Sequence, residues 1–313
     1  RREDDMQVGF IGLGTMGASM AANMQKAGYK LVVNDINRGA AAPHLAAGAA
    51  WADTPQAVAA EAEVVFTSLP GPPEVEAVAL GAQGILAGLR KGGAYFDLST
   101  NAPSMVRRIH KVFAERGCHM LDAPVSGGPR GAATRKLALW VGGEREIFDK
   151  HKALLDAMGD QASYLGPLGA GSVAKLVHNC AGYAIQAALA EVFSMGVKAG
   201  VEPLALWEAV RQGAGGRRRT FDGLVDQFLP GTYDPAAFAL KLAHKDVTLA
   251  TNLAREFDVP MPIAEHALKE LATGLERGWA GLDSRVTMLL QLERAGVDIK
   301  VDPERIKQVL ARD

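Results

Sequence analysis

Two glycine-rich turns and a lysine at the head of a helix hold the residue types from which a chemical site is most readily built. Gly12-Leu13-Gly14-Thr15-Met16-Gly17 fits the pattern G-x-G-x-x-G. The apolar run at 6–11 reads as a strand before it, and 15–27 as a helix after it. In that setting the first glycine makes the tight turn, the second lets backbone approach a pyrophosphate and the third lets helix pack on strand. The helix start then offers free N–H groups and a positive dipole end to the phosphates. The next strand, 30–35, ends on Asp35, 21 residues after Gly14. A carboxylate there accepts hydrogen bonds from an adenosine ribose and repels a 2′-phosphate. Asp35 therefore favours NAD over NADP. Asn34 beside it is neutral to that choice, and Arg38 is a cation placed to meet a 2′-phosphate, so NADP stays possible.

The second turn follows another apolar strand: Asp122-Ala123-Pro124-Val125-Ser126-Gly127-Gly128. A serine hydroxyl and consecutive backbone N–H groups suit one anionic group such as a carboxylate. As a bare pattern it reads more readily as a structural loop. Lys175 and Asn179 lie four apart near the start of a long helical segment and share a helix face. Such a lysine is usually solvated, but this one sits in an apolar run at the junction of two domains, where small-molecule sites form.

These residues need a scaffold, and the hydrophobic pattern supplies one. Strand-like runs at 6–11, 30–35, 63–69, 94–98, 118–122 and 137–141 alternate with helical stretches, the mark of a doubly wound parallel α/β sheet. The pattern changes at the Gly/Pro-rich stretch 166–171, after which only helices are expected, at 172–199, 203–213, 236–257, 263–277 and 284–295. The reading is a Rossmann-type domain over 1–167 and an all-helical domain over 168–313, after a short charged tail at 1–5. Apolar Val173, Leu176, Val177, Cys180, Ala184, Ala187 and Ala188 fall at helical spacing in 172–199, with Cys180 expected in the core.

Composition narrows the function. With 313 residues, 48% hydrophobic and 22% charged, the chain is an ordinary globular one, so disorder is excluded. Thirty-four basic and 35 acidic residues leave no global field for nucleic acid or an anionic membrane. No apolar run is long enough to cross a membrane, and no signal peptide is expected. Two cysteines cannot make a disulfide framework, which points to a reducing, cytoplasmic setting. No spacing of His, Cys and Asp suggests a metal, and the absence of a Gly-x-Ser-x-Gly elbow argues against a serine hydrolase. Of the histidines, only His178 and His244 adjoin proposed site residues in the sequence.

From Val8 onward the chain resembles the β-hydroxyacid dehydrogenase family, the group of 3-hydroxyisobutyrate dehydrogenase and tartronate semialdehyde reductase. The resemblance rests on residues 12–17, on 122–128, on Gly169-x-Gly-x-x-x-Lys-x-x-x-Asn179, and on Lys245-Asp246 after Phe238. Leu69-Pro70 and Ser99-Thr100 match the family's cofactor-contacting positions. The resemblance implies that Lys175 exchanges the hydroxyl proton of a 3-hydroxy acid while NAD exchanges hydride with its carbinol carbon. It further implies that Asn179 orients the substrate, Ser126, Gly127 and Gly128 hold its carboxylate, and Lys245 closes over the nicotinamide. Partners would be a small hydroxy acid or aldehyde and further copies of the chain, as a homodimer or homotetramer.

Two features depart from the pattern. Ala133-Thr134-Arg135-Lys136 stands where relatives carry an acid, a small residue and Gly-Thr or Gly-Ser, and Arg217-Arg218-Arg219 forms an arginine run. The run reads as a solvated basic turn or as a second anion site suited to carboxylate, phosphate or sulfonate. Two other functions compete: NADPH-dependent reduction of a related small aldehyde or imine, and a non-catalytic dinucleotide-binding module. Lys175 argues against imine reduction and against the non-catalytic module, because imine-reducing relatives typically replace that lysine and a scaffold need not keep it.

Overall fold

The computed structural model describes residues 7–219, 222–256, 258–296 and 298–311. The chain forms two compact units, the first reaching Ala181 and the second running from Gly182. The first turns of the long helix that follows the expected boundary at 167 fall in the first unit.

The first unit is built on a nine-stranded sheet: β1 (Gln7–Ile11), β2 (Lys30–Asn34), β3 (Ala50–Trp51), β4 (Val64–Thr67), β5 (Ala94–Asp97), β6 (His119–Asp122), β7 (Val125–Ser126), β8 (Ala138–Gly142) and β9 (Gln161–Gly166). The order is β3-β2-β1-β4-β5-β6-β8-β7, with β9 paired to β8. From β3 to β6 all pairings are parallel, and they reverse at β8, which runs antiparallel to both β6 and β7. The intervening helices are α1 (Thr15–Lys26), α2 (Ala42–Ala46), α3 (Pro55–Glu61), α4 (Pro72–Leu80), α5 (Ile85–Gly88), α6 (Pro103–Glu115), α7 (Gly128–Ala133) and α8 (Arg145–Met158). Central strands such as Val64–Thr67 and Ala94–Asp97 are buried throughout, as expected where helices cover both faces.

Two apolar layers result. One joins Phe10, Phe66 and Phe96 to Met20, Met24 and Leu154; the other joins Val32, Val65 and Tyr95 to Val58, Val106 and Phe113. Burying a large apolar side chain contributes about 1.5–3 kcal/mol, so these layers hold the sheet rigid beneath its loops.

Then come α9 (Ala170–Lys198), α10 (Pro203–Arg211), α11 (Ala214–Arg217), α12 (Leu240–Glu256), α13 (Pro262–Glu276), α14 (Met288–Ala295) and α15 (Pro303–Leu310). Among the described residues the second unit is helical apart from an isolated antiparallel bridge between Ala239 and Asp283, a small departure from the all-helical expectation. Asp283 explains it. Its fully buried carboxylate accepts N–H bonds from Ala237, Phe238 and Arg285 and the Arg285 guanidinium, and so gathers the segment before α12 onto the turn before α14. Burial alone would push this carboxyl up, yet the amides and Arg285 bring it below the ordinary carboxylate value. Within this unit the Glu191 carboxylate on α9 accepts N–H bonds from Ile263 and Ala264, capping the start of α13. Val173, Leu176 and Val177 at the head of α9 are exposed, so their helical spacing does not mark a face buried within the chain. The side chain of Cys180 lies outside the described residues.

His151 on α8 offers a direct check on the first unit. It is buried, its ring meets Phe96 edge-on at 5.8 Å, and its Nδ1 has no partner. Burial, with Lys150 and His119 adding to it, lowers its pKa from 6.5 to about 4. The unfolded chain therefore binds the proton more readily, and stability falls as pH drops from 6.5 towards 4. The shift corresponds to about 3 kcal/mol. Urea unfolding of His151→Phe across this range is expected to lose most of that acid-side slope. Curves parallel to those of the parent chain would show that His151 is not its source.

Candidate active site

Parallel strands of an open sheet deliver their C-terminal ends to one edge, where ligands bind. That edge of the first unit carries most of the residues singled out above. Gly12 follows β1, Asp35 follows β2, Leu69 and Pro70 follow β4, Thr100 follows β5, and Ser126 closes β7. Of these strands β2, β1, β4 and β5 neighbour one another in the sheet, while β7 lies beyond β6 and pairs with β8.

The first turn fits a dinucleotide on its backbone. Gly12 has φ of +93°, and a Cβ there would overlap the Ser68 carbonyl oxygen. A Cβ on Gly17 would overlap the Gly12 carbonyl oxygen, so α1 sits as close to the turn as backbone permits. Gly14 is the residue before α1. It provides no side-chain cap, and a Cβ added to it meets open space. The first-turn amides of α1, around Thr15 and Met16, are thus left for an outside acceptor, as a bound pyrophosphate requires.

Asp35 is held in place. One oxygen accepts the Leu13 N–H at 2.6 Å and the other the Asn37 N–H at 2.7 Å. Asp35 and the glycine turn are therefore one hydrogen-bonded unit. Asn34 is buried and donates to the Ala52 carbonyl, a structural bond that ties β2 to the chain beyond β3. Arg38 lies over the Trp51 ring at 5.1 Å and 3.6 Å from the Asp53 carboxylate, which also accepts the Trp51 indole N–H.

Three buried polar side chains organise the loops, and none has a role readable from the sequence. Asp97, at the end of β5, accepts from the Thr67 hydroxyl, the Ser99 N–H and the Asn101 amide. Ser99 in turn accepts the Leu69 N–H, so the loops after β4 and β5 are joined while Pro70 and Thr100 remain exposed. Burial raises the Asp97 carboxyl, and these hydrogen bonds oppose the rise. Asn23 on α1 donates to the Ala132 carbonyl at 2.7 Å, linking the helix after the glycine turn to α7 behind Ser126-Gly127-Gly128. Asp122 ends β6, and its two oxygens accept the Gly169 N–H at 2.7 Å and the Ser172 N–H at 2.6 Å. An acid ending an otherwise apolar strand was the only sequence signal for Asp97 and Asp122.

Asp122 thereby fixes the start of α9, which carries Lys175 and Asn179. His178 lies 5.4 Å from the Trp140 ring of β8, and its Nδ1 is 3.1 Å from the Asn179 side-chain oxygen. Lys175 is partly buried, and desolvation lowers its pKa from the ordinary 10.5. Gly127 and Gly128 both have positive φ, +139° and +64°, which turns their backbone outward after Ser126. Lys245 is on α12 of the second unit, and its side chain lies outside the described residues. In the arginine run, Arg218 pairs with Asp226 at 2.7 Å and Arg219 with Asp222 at 3.3 Å, while Arg217 is exposed. Among the described residues no three His, Cys, Asp or Glu side chains are grouped to hold a metal, and no helix is long and apolar enough to cross a membrane.

A glycine turn at the head of a helix, an acid fixed beyond the next strand and a helical second unit fit an NAD(P)-binding oxidoreductase. Known proteins agree. Residues 7–166 match the NAD-binding domain of 6-phosphogluconate dehydrogenase, and 169–291 match the NAD-binding domain of NADP-dependent 3-hydroxyisobutyrate dehydrogenase. The chain is 33% identical over 297 residues to 2-(hydroxymethyl)glutarate dehydrogenase of Eubacterium barkeri, covering 95% of this chain and 98% of that one. It is 37% identical over 290 residues to NAD-dependent L-serine dehydrogenase of Pseudomonas aeruginosa, covering 91% and 97%. The structure of Mycobacterium tuberculosis 3-hydroxyisobutyrate dehydrogenase with L-serine superposes with a TM-score of 0.63 at 30% identity, covering 91% and 99%. The chain belongs to the β-hydroxyacid dehydrogenase family.

Gly17→Ala tests the fit of the first turn. Its methyl group must push α1 away from the Gly12 carbonyl, and overpacking of this kind costs about 1–3 kcal/mol. Titration with NADH and NADPH, followed by tryptophan fluorescence, is expected to show at least tenfold weaker binding with the fold retained. Unchanged affinity would show that the turn does not carry the dinucleotide.

Proposed function

We propose that this chain is an NAD-dependent dehydrogenase that interconverts a 3-hydroxy acid and its aldehyde, with Lys175 as the general acid and base. The observation that carries the reading is the partly buried Lys175 amine, lowered in pKa by desolvation, on a helix whose start is bonded to the strand edge that bears the dinucleotide turn. A lysine that must accept a proton near neutral pH needs such a shift. Bound nicotinamide supplies a hydride acceptor in one direction and a hydride donor in the other.

The chain's own residues supply binding and proton transfer. The backbone and hydroxyl of Ser126-Gly127-Gly128 hold the substrate carboxylate, and Asn179 orients the hydroxyl. The Lys175 Nζ takes the hydroxyl proton during oxidation and returns one to the aldehyde oxygen during reduction. Lys245 is assigned to the cofactor, as the family resemblance implies. L-serine, 3-hydroxyisobutyrate and 2-(hydroxymethyl)glutarate, named for the relatives, share a primary alcohol on the carbon β to a carboxylate. That shared fragment supports a 2-substituted 3-hydroxypropanoate as the substrate class here. The local ion pairs of Arg218 and Arg219 favour a solvated turn over a second anion site.

NAD is the preferred cofactor in this reading. The Asp35 carboxylate is held against the glycine turn, where its charge would repel a 2′-phosphate, and Arg38 pairs with Trp51 and Asp53. Exposed apolar residues on α9, Val173, Leu176, Val177 and Leu189 among them, support self-association as a homodimer or homotetramer. Thiol content without a disulfide framework supports the cytoplasm as its location.

Two measurements test the reading. In the Lys175→Ala variant, kcat is expected to fall about 10²–10⁴-fold with NAD affinity nearly unchanged. In the parent chain, oxidation is expected to rise with pH through an inflection below 10.5 as the amine loses its proton, and reduction to fall across the same range. A variant that keeps its rate and its pH limb would remove Lys175 from proton transfer. Asp35→Ala is expected to raise the KM for NAD about tenfold or more, since a charged hydrogen bond contributes about 1.5–3 kcal/mol, and to narrow the preference over NADP. A parent chain that already prefers NADP would contradict the role given to Asp35.

A further inference from the structure

We propose that Asp122 is a positioning residue that sets the distance between the turn holding the substrate carboxylate and the amine of Lys175, and so selects 3-hydroxy acids by the spacing of their two functional groups. The inference rests on the role of Lys175 given above and adds to it the element that fixes the lysine in place.

Three observations converge. First, Asp122 serves two chain segments at once. Its backbone leads through Ala123-Pro124-Val125 into Ser126-Gly127-Gly128, and its side chain accepts the Gly169 and Ser172 amides 47 and 50 residues away. Second, those amides lie at the head of α9, one turn before Lys175. The residue before the helix, Gly169, has no side chain to cap it and holds φ at +93°. The capping carboxylate therefore comes from β6 and not from the helix's own sequence.

Third, the seat has no slack. A Cβ on Gly142 would stand 2.6 Å from the Asp122 carboxylate and 2.8 Å from the Ala170 N–H. A Cβ on Gly171 would overlap the Trp140 carbonyl oxygen of β8. The same strand pairs with the proposed carboxylate turn, Ser126 opposite Ala138, so β8 meets both the turn and the helix head. Burial raises the Asp122 carboxyl while the two amides pull it back, as suits a charge kept for its hydrogen bonds.

Asp122→Asn leaves shape intact but retains one acceptor oxygen and turns an N–H₂ group towards a backbone donor, so α9 loses part of its anchor. A displacement of about 1 Å at a reacting group costs about 10²-fold. The test uses the full-length chain with NAD. It measures kcat and KM on a 3-hydroxy acid and on the 2-hydroxy acid of equal carbon number, NADH affinity by fluorescence, and amide hydrogen exchange at Gly169 and Ser172. The expected result is a kcat on the 3-hydroxy acid lower by about 10²-fold, with NADH affinity within about twofold and faster exchange at both amides. The ratio of 3-hydroxy to 2-hydroxy turnover should fall by about tenfold or more.

Gly171→Ala presses the same helix head from the β8 side with Asp122 unchanged, and it carries the test should Asp122→Asn not fold. The same fall in the ratio is expected. Asp122→Glu, which keeps the charge, is expected to recover amide protection in part. A loss equal on both substrates, or unchanged amide exchange in Asp122→Asn, would overturn the proposal. Failure of the lysine reading looks different: Lys175→Ala would keep its turnover while amide exchange still reported whether Asp122 holds the helix.

Discussion

A carboxylate buried at the end of a parallel strand is costly unless its oxygens find donors, because the protein interior replaces water poorly around a charge. Asp122 finds them at the head of α9, on the Gly169 and Ser172 amides. The bond satisfies both partners: the helix start has N–H groups with no acceptor inside the helix, and the acid has a charge with no water. The position of Lys175 depends on this exchange. So does the relation of the helix to the sheet edge where the dinucleotide turn lies. Asp97 repeats the arrangement one strand away, drawing the loops after β4 and β5 together through Ser99.

The chemistry follows from that rigidity. A lysine on a freely solvated helix keeps its proton at neutral pH. Lys175 is partly desolvated, and its pKa moves down from the ordinary lysine value, as the proposed proton transfer requires. The turn at Ser126-Gly127-Gly128 is joined to the same frame by β8 and, through Asn23 and Ala132, to the helix that follows the glycine turn. The glycine turn, the Ser126-Gly127-Gly128 turn and the helix of Lys175 are therefore tied into one frame, and in the proposed function a substrate held by its carboxylate would be presented with little freedom.

What the sequence disclosed and what it concealed follow a physical division. The glycine turn was legible because its requirements are written in the residues themselves: Gly12 and Gly17 stand where a Cβ would strike backbone. Asp35 was legible by its spacing, and the long buried strands by their unbroken apolar runs. β3 and β7, of two residues each, were too short to leave a pattern, and the alternately exposed β9 lacks the apolar run by which the other strands were found. The reversal of β8 leaves no mark, because an apolar strand reads alike in either direction. The roles of Asp97, Asp122 and Asn23 were hidden for a related reason. Asp122 and Asn23 bond to backbone groups many residues away, and Asp97 draws on Thr67 in the preceding strand; neither kind of partner has a sequence signature. The segment at 284–295, expected as one helix, opens with a 3₁₀ turn over Ser284–Thr287 that is capped by Asp283.

The central claim is that the site reads a carboxylate and a hydroxyl at a fixed separation. Nicotinamide reduction by the parent chain, measured on paired free acids and methyl esters of 2-, 3- and 4-hydroxy acids, tests it most directly. The account expects turnover of the free 3-hydroxy acids, with the esters and the other chain positions slower by about 10²-fold or more. Equal rates on acid and ester, or no preference for the 3-position, would contradict it.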